Sequence, residues 1–245
     1  MHVLSFCNVS CRFDDQRVVD TVSFDVAPAE IVCLLGPSGC GKTTLMNMIG
    51  GLVKSDGHIL NFNKNRKNED ENFGYVFQTS RLLPWLTVKE NVALVCNDKK
   101  IDEYQIEDIL ESFGLKDFIN YYPKSISGGM RRRVSLARAF INNPKVLLMD
   151  EPFVSLDQPT AENLYEVLIN YWKKTKTTII LITHVLKEAI LLGDRILFFS
   201  KNPGTVVFDY SVKSNRDKLS IESKFVNKEY LELTKKYPNL LNGLL

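Results

Sequence analysis

The run Gly36-Pro37-Ser38-Gly39-Cys40-Gly41-Lys42-Thr43-Thr44 has residue types and spacing suited to holding phosphate. It matches GxxxxGK[ST], a pattern that works when a strand leads into it and a helix leads out. Its glycines let backbone N–H groups turn toward phosphate oxygens, and the helix start adds a favourable dipole. Lys42 has the reach for β- and γ-phosphates, the Thr43 hydroxyl is a magnesium ligand, and Thr44 adds a local phosphate contact. A second run, Val146-Leu147-Leu148-Met149-Asp150-Glu151-Pro152, ends an apolar stretch in two acids. Asp150 at the carboxyl end of such a strand suits magnesium, directly or through water. Glu151 beside it suits polarising an attacking water. Taken alone, the two acids could simply cap the next helix; with a phosphate loop in the same chain, the metal and water roles are preferred.

Those residues need a scaffold, and its pattern is legible. Glu30 to Leu35 is nearly continuous apolar sequence, as in a parallel strand covered on both faces. Leu45, Met48, Ile49 and Leu52 follow the glycine-rich turn at helical spacing, giving strand, turn and helix in the required order. Val3 to Val9 and Val18 to Val26 carry short or alternating apolar patterns. From about Pro84 to Asn143 the chain becomes mostly helical. Thr87 and Glu90 have capping-box spacing, Ile106, Ile109, Leu110 and Phe113 mark a helix face ended by Gly114, and Val134, Ala137 and Ile141 mark another. Strands return at Val146 to Met149, Thr177 to Thr183 and Ile196 to Phe199, with a helical pattern through Leu164, Val167, Leu168 and Tyr171. The alternation predicts a layered α/β fold with a mainly parallel sheet core and a helical insert.

Composition narrows the function classes. Across 245 residues, 31 basic side chains against 29 acidic ones leave a formal charge of +2. That balance lacks the concentrated basic field that nucleic acid favours, so no nucleic-acid partner is expected. No apolar run reaches the roughly 18 residues of a spanning helix, and the opening MHVLSFCNVS lacks the pattern of a secretory signal. Neither export nor membrane spanning is expected. Five cysteines and three histidines favour free thiols over a disulfide framework or a histidine-rich metal centre.

Up to this point the residues support a magnesium-dependent nucleotide hydrolase. Ser127-Gly128-Gly129-Met130-Arg131, preceded by Ser125-Ile126, makes the reading sharper. Locally, Ser127 can cap a helix while Gly128 and Gly129 expose backbone donors to an anion. The segment resembles the signature motif of ABC transporter ATPases, and the resemblance covers about residues 1 to 210, with every motif in family order. It implies a P-loop fold of the ABC ATPase type: a mainly parallel sheet core, an antiparallel β portion and a helical subdomain at approximately 84–143. Residues 211–245 are expected to form a short tail, either a small docking helix or partly disordered.

By this resemblance Gln78, after Gly74-Tyr75-Val76-Phe77, is the Q-loop residue that contacts magnesium or the attacking water. Ser155-Leu156-Asp157 resembles the D-loop, His184 resembles the switch histidine on the γ-phosphate, and Phe13 resembles the aromatic that stacks on adenine. Asp157, His184 and Phe13 have bland readings as well, a helix cap, a structural histidine and a core aromatic. Met130 stands where many members have glutamine, and Val185 where aspartate often follows the histidine. Neither departure removes a phosphate ligand. The resemblance also implies that Ser127, Gly128 and Gly129 close over ATP bound to a second ATPase subunit, so a homodimer or a heterodimer with a close paralogue completes two sites.

Leu82-Leu83-Pro84-Trp85-Leu86-Thr87-Val88 with Glu90-Asn91-Val92, and later Asn202-Pro203-Gly204, resemble segments of the nitrate, sulfonate and taurine importer ATPases. ATP and Mg2+ are then the expected cofactors. Two transmembrane permease domains are the expected partners, with an extracytoplasmic substrate-binding protein engaged indirectly, and the expected location is the cytoplasmic face of the membrane. A thiamine-precursor or riboflavin importer remains open, as does a nucleotide-switched interaction module with no transport role.

Overall fold

A computed structural model of the chain describes residues 2–61, 73–96, 101–154, 156–213 and 220–243. The chain divides into two compact units, one formed by Met1–Glu71 with Lys176–Leu245 and the other by Asn72–Thr175.

The first unit contains two β-structures. Strands β1 (Leu4–Phe13) and β2 (Gln16–Val26) form a hairpin, and β4 (Asp56–Asn61) pairs with the other edge of β1, all antiparallel in the order β2-β1-β4. Alternation places Leu4, Phe6, Val22, Phe24 and Val26 inside, and the Phe6 and Phe24 rings stack across the ladder at 4.1 Å. Strand β3 (Ile31–Leu35) is buried at all five positions, as a strand covered on both faces must be. It pairs in parallel with β7 (Thr178–Ile182) and β8 (Arg195–Phe199), and β9 (Val206–Ser211) lies antiparallel on β8. The core is therefore a mixed parallel and antiparallel β-structure.

Helix α1 (Lys42–Ile49) follows β3. It ends sooner than the apolar spacing predicts: Gly51 takes φ +69, and Leu52 lies beyond the helix, 62% exposed. A left-handed glycine at that place is a common helix terminator. Helix α6 (Leu186–Leu192) contacts β3, and the Cys33 thiol bonds to Ala189 O. Helix α7 (Lys224–Lys236) packs on α6, and Tyr210 on β9 donates its hydroxyl to buried Glu229.

The second unit pairs β5 (Phe73–Val76) in parallel with β6 (Val146–Asp150), Val76 opposite Met149. Helices α2 (Val88–Ala93), α3 (Glu103–Ser112) and α4 (Gly128–Phe140) lie between these strands in sequence, and α5 (Gln158–Thr175) follows β6. Thr87 and Glu90 form the expected capping box at the start of α2, and Gly114 at φ +66 follows α3. Phe140 lies between Phe113 and Tyr171, stacked on the tyrosine at 4.0 Å. Among the described residues no helix is long and apolar enough to cross a membrane.

Candidate functional site

In the first unit the buried strand β3 runs out at Leu35 and the chain turns through residues 36–41 into α1. Gly41 caps the helix at φ +94, a conformation costly for any residue with a Cβ. A Cβ there would also meet Val18 O at 2.8 Å. The loop closes around the Lys42 ammonium, which donates to Gly36 O and Pro37 O, both at 2.8 Å, and to Cys40 Sγ at 3.4 Å. The lysine is only 6% exposed, while Ser38, Gly39 and Thr43 face outward and Thr44 is half-buried. An ammonium inside a ring of backbone, beside the unpaired N–H groups of a helix start, is an arrangement suited to a polyphosphate.

The same unit carries His184, exposed just beyond β7. The turn that holds it is braced from below: the buried Thr183 hydroxyl donates to Glu188 Oε2 at 2.5 Å and accepts from Val185 N at 3.0 Å. Phe13, at the tip of the β1–β2 hairpin, is 50% exposed and is not a core aromatic. In the sequence Gly204 belongs to the Asn202-Pro203-Gly204 turn. Its backbone exchanges bonds with Val18 and Asp20, and a Cβ on it would lie 1.9 Å from Cys40 O. The turn at 202–204 is thus pressed against the phosphate loop.

In the second unit β5 and β6 end side by side, and two candidate residues project from their carboxyl ends. Gln78 Nε2 donates to Glu151 Oε2 at 2.8 Å. A carboxylate only accepts, so this bond assigns the amide nitrogen to Glu151 and turns the amide oxygen elsewhere. Glu151 sits at φ +44, in the sparsely populated left-handed region, as residues at working sites often do. Asp150, one residue earlier, is 5% exposed. Burial, reinforced by the Asp150 charge, pushes the nearby Tyr75 hydroxyl well above its ordinary pKa.

Ser127 caps α4, its hydroxyl accepting from Met130 N at 3.2 Å. Ser127, Gly128 and Gly129 line a cavity of about 490 Å³ together with Gly114, Arg133 and Asp157. A Cβ on Gly129 would lie 2.9 Å from Thr160 Cγ2, so the glycine keeps this wall open. Asp157 caps α5 through Thr160, whose hydroxyl and backbone N–H hold the carboxyl below the usual carboxylate range. Ser155 lies outside the described residues.

One residue without any sequence signal proves central to this unit. Arg132, 5% exposed on α4, donates to Phe77 O, Gln78 O, Glu151 O and Pro152 O. In sequence it is the middle of three consecutive arginines. Its acceptors are carbonyls far away along the chain, and residue types do not announce them.

Comparison with known proteins gives a consistent result. A family model described as ABC transporter matches residues 19–154. The aliphatic sulfonates import ATP-binding protein SsuB of Bacillus cereus is 39% identical over 238 residues, covering 94% of each chain. The taurine import ATP-binding protein TauB of Roseobacter denitrificans is 40% identical over 217 residues, covering 84% of this chain and 81% of the relative. Among solved structures, the ATP-binding cassette MJ0796, described as a dimer in a post-hydrolysis state bound to ADP and Pi, matches with a TM-score of 0.74. It is 28% identical, and the match covers 86% of this chain and 99% of that one.

Proposed function

The chain belongs to the ABC transporter family, and we propose that it is the ATP-hydrolysing subunit of an importer for a small solute of the sulfonate, taurine and nitrate type. Lys42, held against the Gly36 and Pro37 carbonyls, neutralises charge on the β- and γ-phosphates, and backbone N–H groups of the loop and helix start hold the phosphate oxygens. His184, projecting from its braced turn, stabilises charge on the γ-phosphate. Glu151, steadied by the Gln78 amide, orients the attacking water and accepts its proton. Phe13 offers its exposed ring to adenine. Asp157, at the cap of α5, couples the two ATP sites.

The donor set fits magnesium: the Thr43 hydroxyl, the Gln78 amide oxygen and the Asp150 carboxylate are all hard oxygen ligands. When bound, the ion supplies positive charge across the phosphate oxygens. The chain's own contribution is positioning and preset electrostatics, which carry most of phosphoryl-transfer catalysis.

A second ATPase subunit completes the site. Ser127 and Gly128, exposed at the N-terminus of α4, and half-buried Gly129 close over nucleotide held by that subunit, and a two-fold axis returns the exchange. Two permease domains at the membrane receive the closure, which holds this subunit peripherally on the cytoplasmic face, and an extracytoplasmic binding protein delivers the solute.

The observation that carries this reading is the Gln78–Glu151 hydrogen bond at the ends of paired parallel strands, beside buried Asp150. Purified protein should hydrolyse ATP when magnesium is supplied. Glu151→Gln should lose about 10²–10⁴-fold in turnover, the span of general-base catalysis, while binding ATP and accumulating as a dimer. Equal turnover by the two proteins would remove Glu151 from its role.

A further inference from the structure

Arg131, Arg132 and Arg133 follow one another on α4, and about 100° of helix rotation per residue sends each to a different neighbour. Arg131 Nη1 donates to Ile126 O at 2.8 Å and Pro123 O at 3.2 Å, fastening the segment that precedes the signature. Arg133 Nη1 donates to Phe113 O at 3.3 Å, at the end of α3. Arg132 turns inward, and its planar fork is divided between two loops. Nη1 serves Phe77 O and Gln78 O, Nη2 serves Glu151 O at 3.0 Å, and Nε serves Pro152 O. Four of the five N–H donors of a guanidinium are thereby directed at the backbone on either side of the Gln78–Glu151 hydrogen bond.

Burying a guanidinium is unfavourable, and here burial pushes its pKa down to about 10, with the Asp150 charge acting in the opposite direction. The group remains charged at neutral pH, and a desolvated cation is held where it satisfies otherwise buried carbonyls. Two of those carbonyls belong to the strained turn at Glu151 and two to the loop at Gln78. Their side chains meet only if both turns keep their present orientation.

We propose that Arg132 is a positioning residue that ties the first turns of the signature helix to the Gln78–Glu151 pair, setting the orientation in which Glu151 meets water. This rests on the reading that Glu151 acts on water in ATP hydrolysis. Arg132 lies little more than one turn beyond Ser127, at the end of α4 that faces the partner subunit's nucleotide in that reading. Engagement of α4 by one ATP is therefore transmitted, through one side chain, to the residues that hydrolyse the other. The fork geometry is essential to this role. A lysine ammonium presents its three donors from one atom and cannot span both turns. A glutamine amide presents two in-plane donors and can hold part of the arrangement.

The test uses the full chain and the variants Arg132→Ala, Arg132→Lys and Arg132→Gln. ATP turnover and ATP affinity are measured separately, together with amide hydrogen exchange of residues 77–81 and 151–154 in nucleotide-free protein. Arg132→Ala and Arg132→Lys should lower kcat by 10-fold or more with ATP affinity within about threefold of wild type, and Arg132→Gln should recover part of the loss. Exchange in both segments should quicken, while protection within α4 and the thermal midpoint of Arg132→Lys stay near wild type. Should Arg132→Ala not fold, the lysine and glutamine variants decide. Wild-type kcat in Arg132→Lys, or parallel loss of kcat, affinity and α4 protection in all three, would overturn the proposal. If instead Glu151→Gln turns over as fast as wild type, the hydrolytic reading fails; unchanged exchange in the two segments separately overturns the clamp.

Discussion

Glu151 occupies a backbone conformation that most residues avoid, and the Gln78 amide donates to its carboxylate. Removing that donor in Gln78→Ala leaves the carboxylate with a wider range of orientations, few of which face the attacking water. Turnover should fall by about 10–100-fold, or about 1.4–2.7 kcal/mol of barrier, with ATP affinity changed much less. Steady-state turnover set beside nucleotide titration checks this, and an equal loss in both would show that Gln78 serves binding instead. At this scale the sequence was informative where chemistry and local spacing coincide. Lys42 lies next to the glycines that bend the loop around it, and Asp150 and Glu151 end an apolar strand. Arg132 was illegible because its partners are main-chain carbonyls, which every residue has. The Thr183–Glu188 brace beneath His184 is illegible for a related reason: its spacing of five residues matches no familiar capping pattern.

Elements that position the site differ in how plainly they are written. β3, β6 and β7 are buried at every position and read as short apolar runs between polar turns. β4 is not legible in the sequence, because its residues are mostly exposed and offer no inward row for a period of two to reveal. β9 is half-exposed along its length and gave little more. The turn after β8 shows its residues in the sequence but not its task. Gly204 is where that turn meets the phosphate loop, and the missing Cβ is what allows backbone to approach backbone. Gly204→Ala must therefore displace either the turn or the carbonyl of Cys40. We expect at least a 10-fold loss of ATP affinity and a fall in the thermal midpoint, since overpacking commonly costs about 1–3 kcal/mol. Nucleotide titration and thermal unfolding measure the two effects, and wild-type ATP affinity would show that the loop yields without consequence.

At the scale of the whole molecule, the net charge is +2 and no helix among the described residues is long and apolar enough to cross a membrane; in the proposed function the chain meets the membrane through another protein. Sequence motifs pointed to that protein without showing how a docking surface could be held ready. The segment before α2 supplies a physical basis. Asn91 is fully buried, its amide donates to Leu83 O, Leu86 O and Thr87 O, and its carbonyl accepts from Leu83 N. One side chain thus fixes the backbone of residues 83–87 and leaves Trp85 69% exposed at its crest. A large aromatic presented on a rigid loop loses little freedom on binding and suits the anchor of an interface. Trp85→Ala should therefore reduce recovery of this subunit with its permease from detergent-solubilised membranes by 10-fold or more. ATP-dependent dimerisation of the purified Glu151→Gln subunit should survive the same change, because Trp85 belongs to neither the phosphate loop nor the start of α4. Recovery equal to wild type would place the permease contact elsewhere. Loss of dimerisation together with recovery would mean that the substitution disturbed the second unit, and Asn91→Ala, which frees the loop without removing the tryptophan, would then fail in the same way.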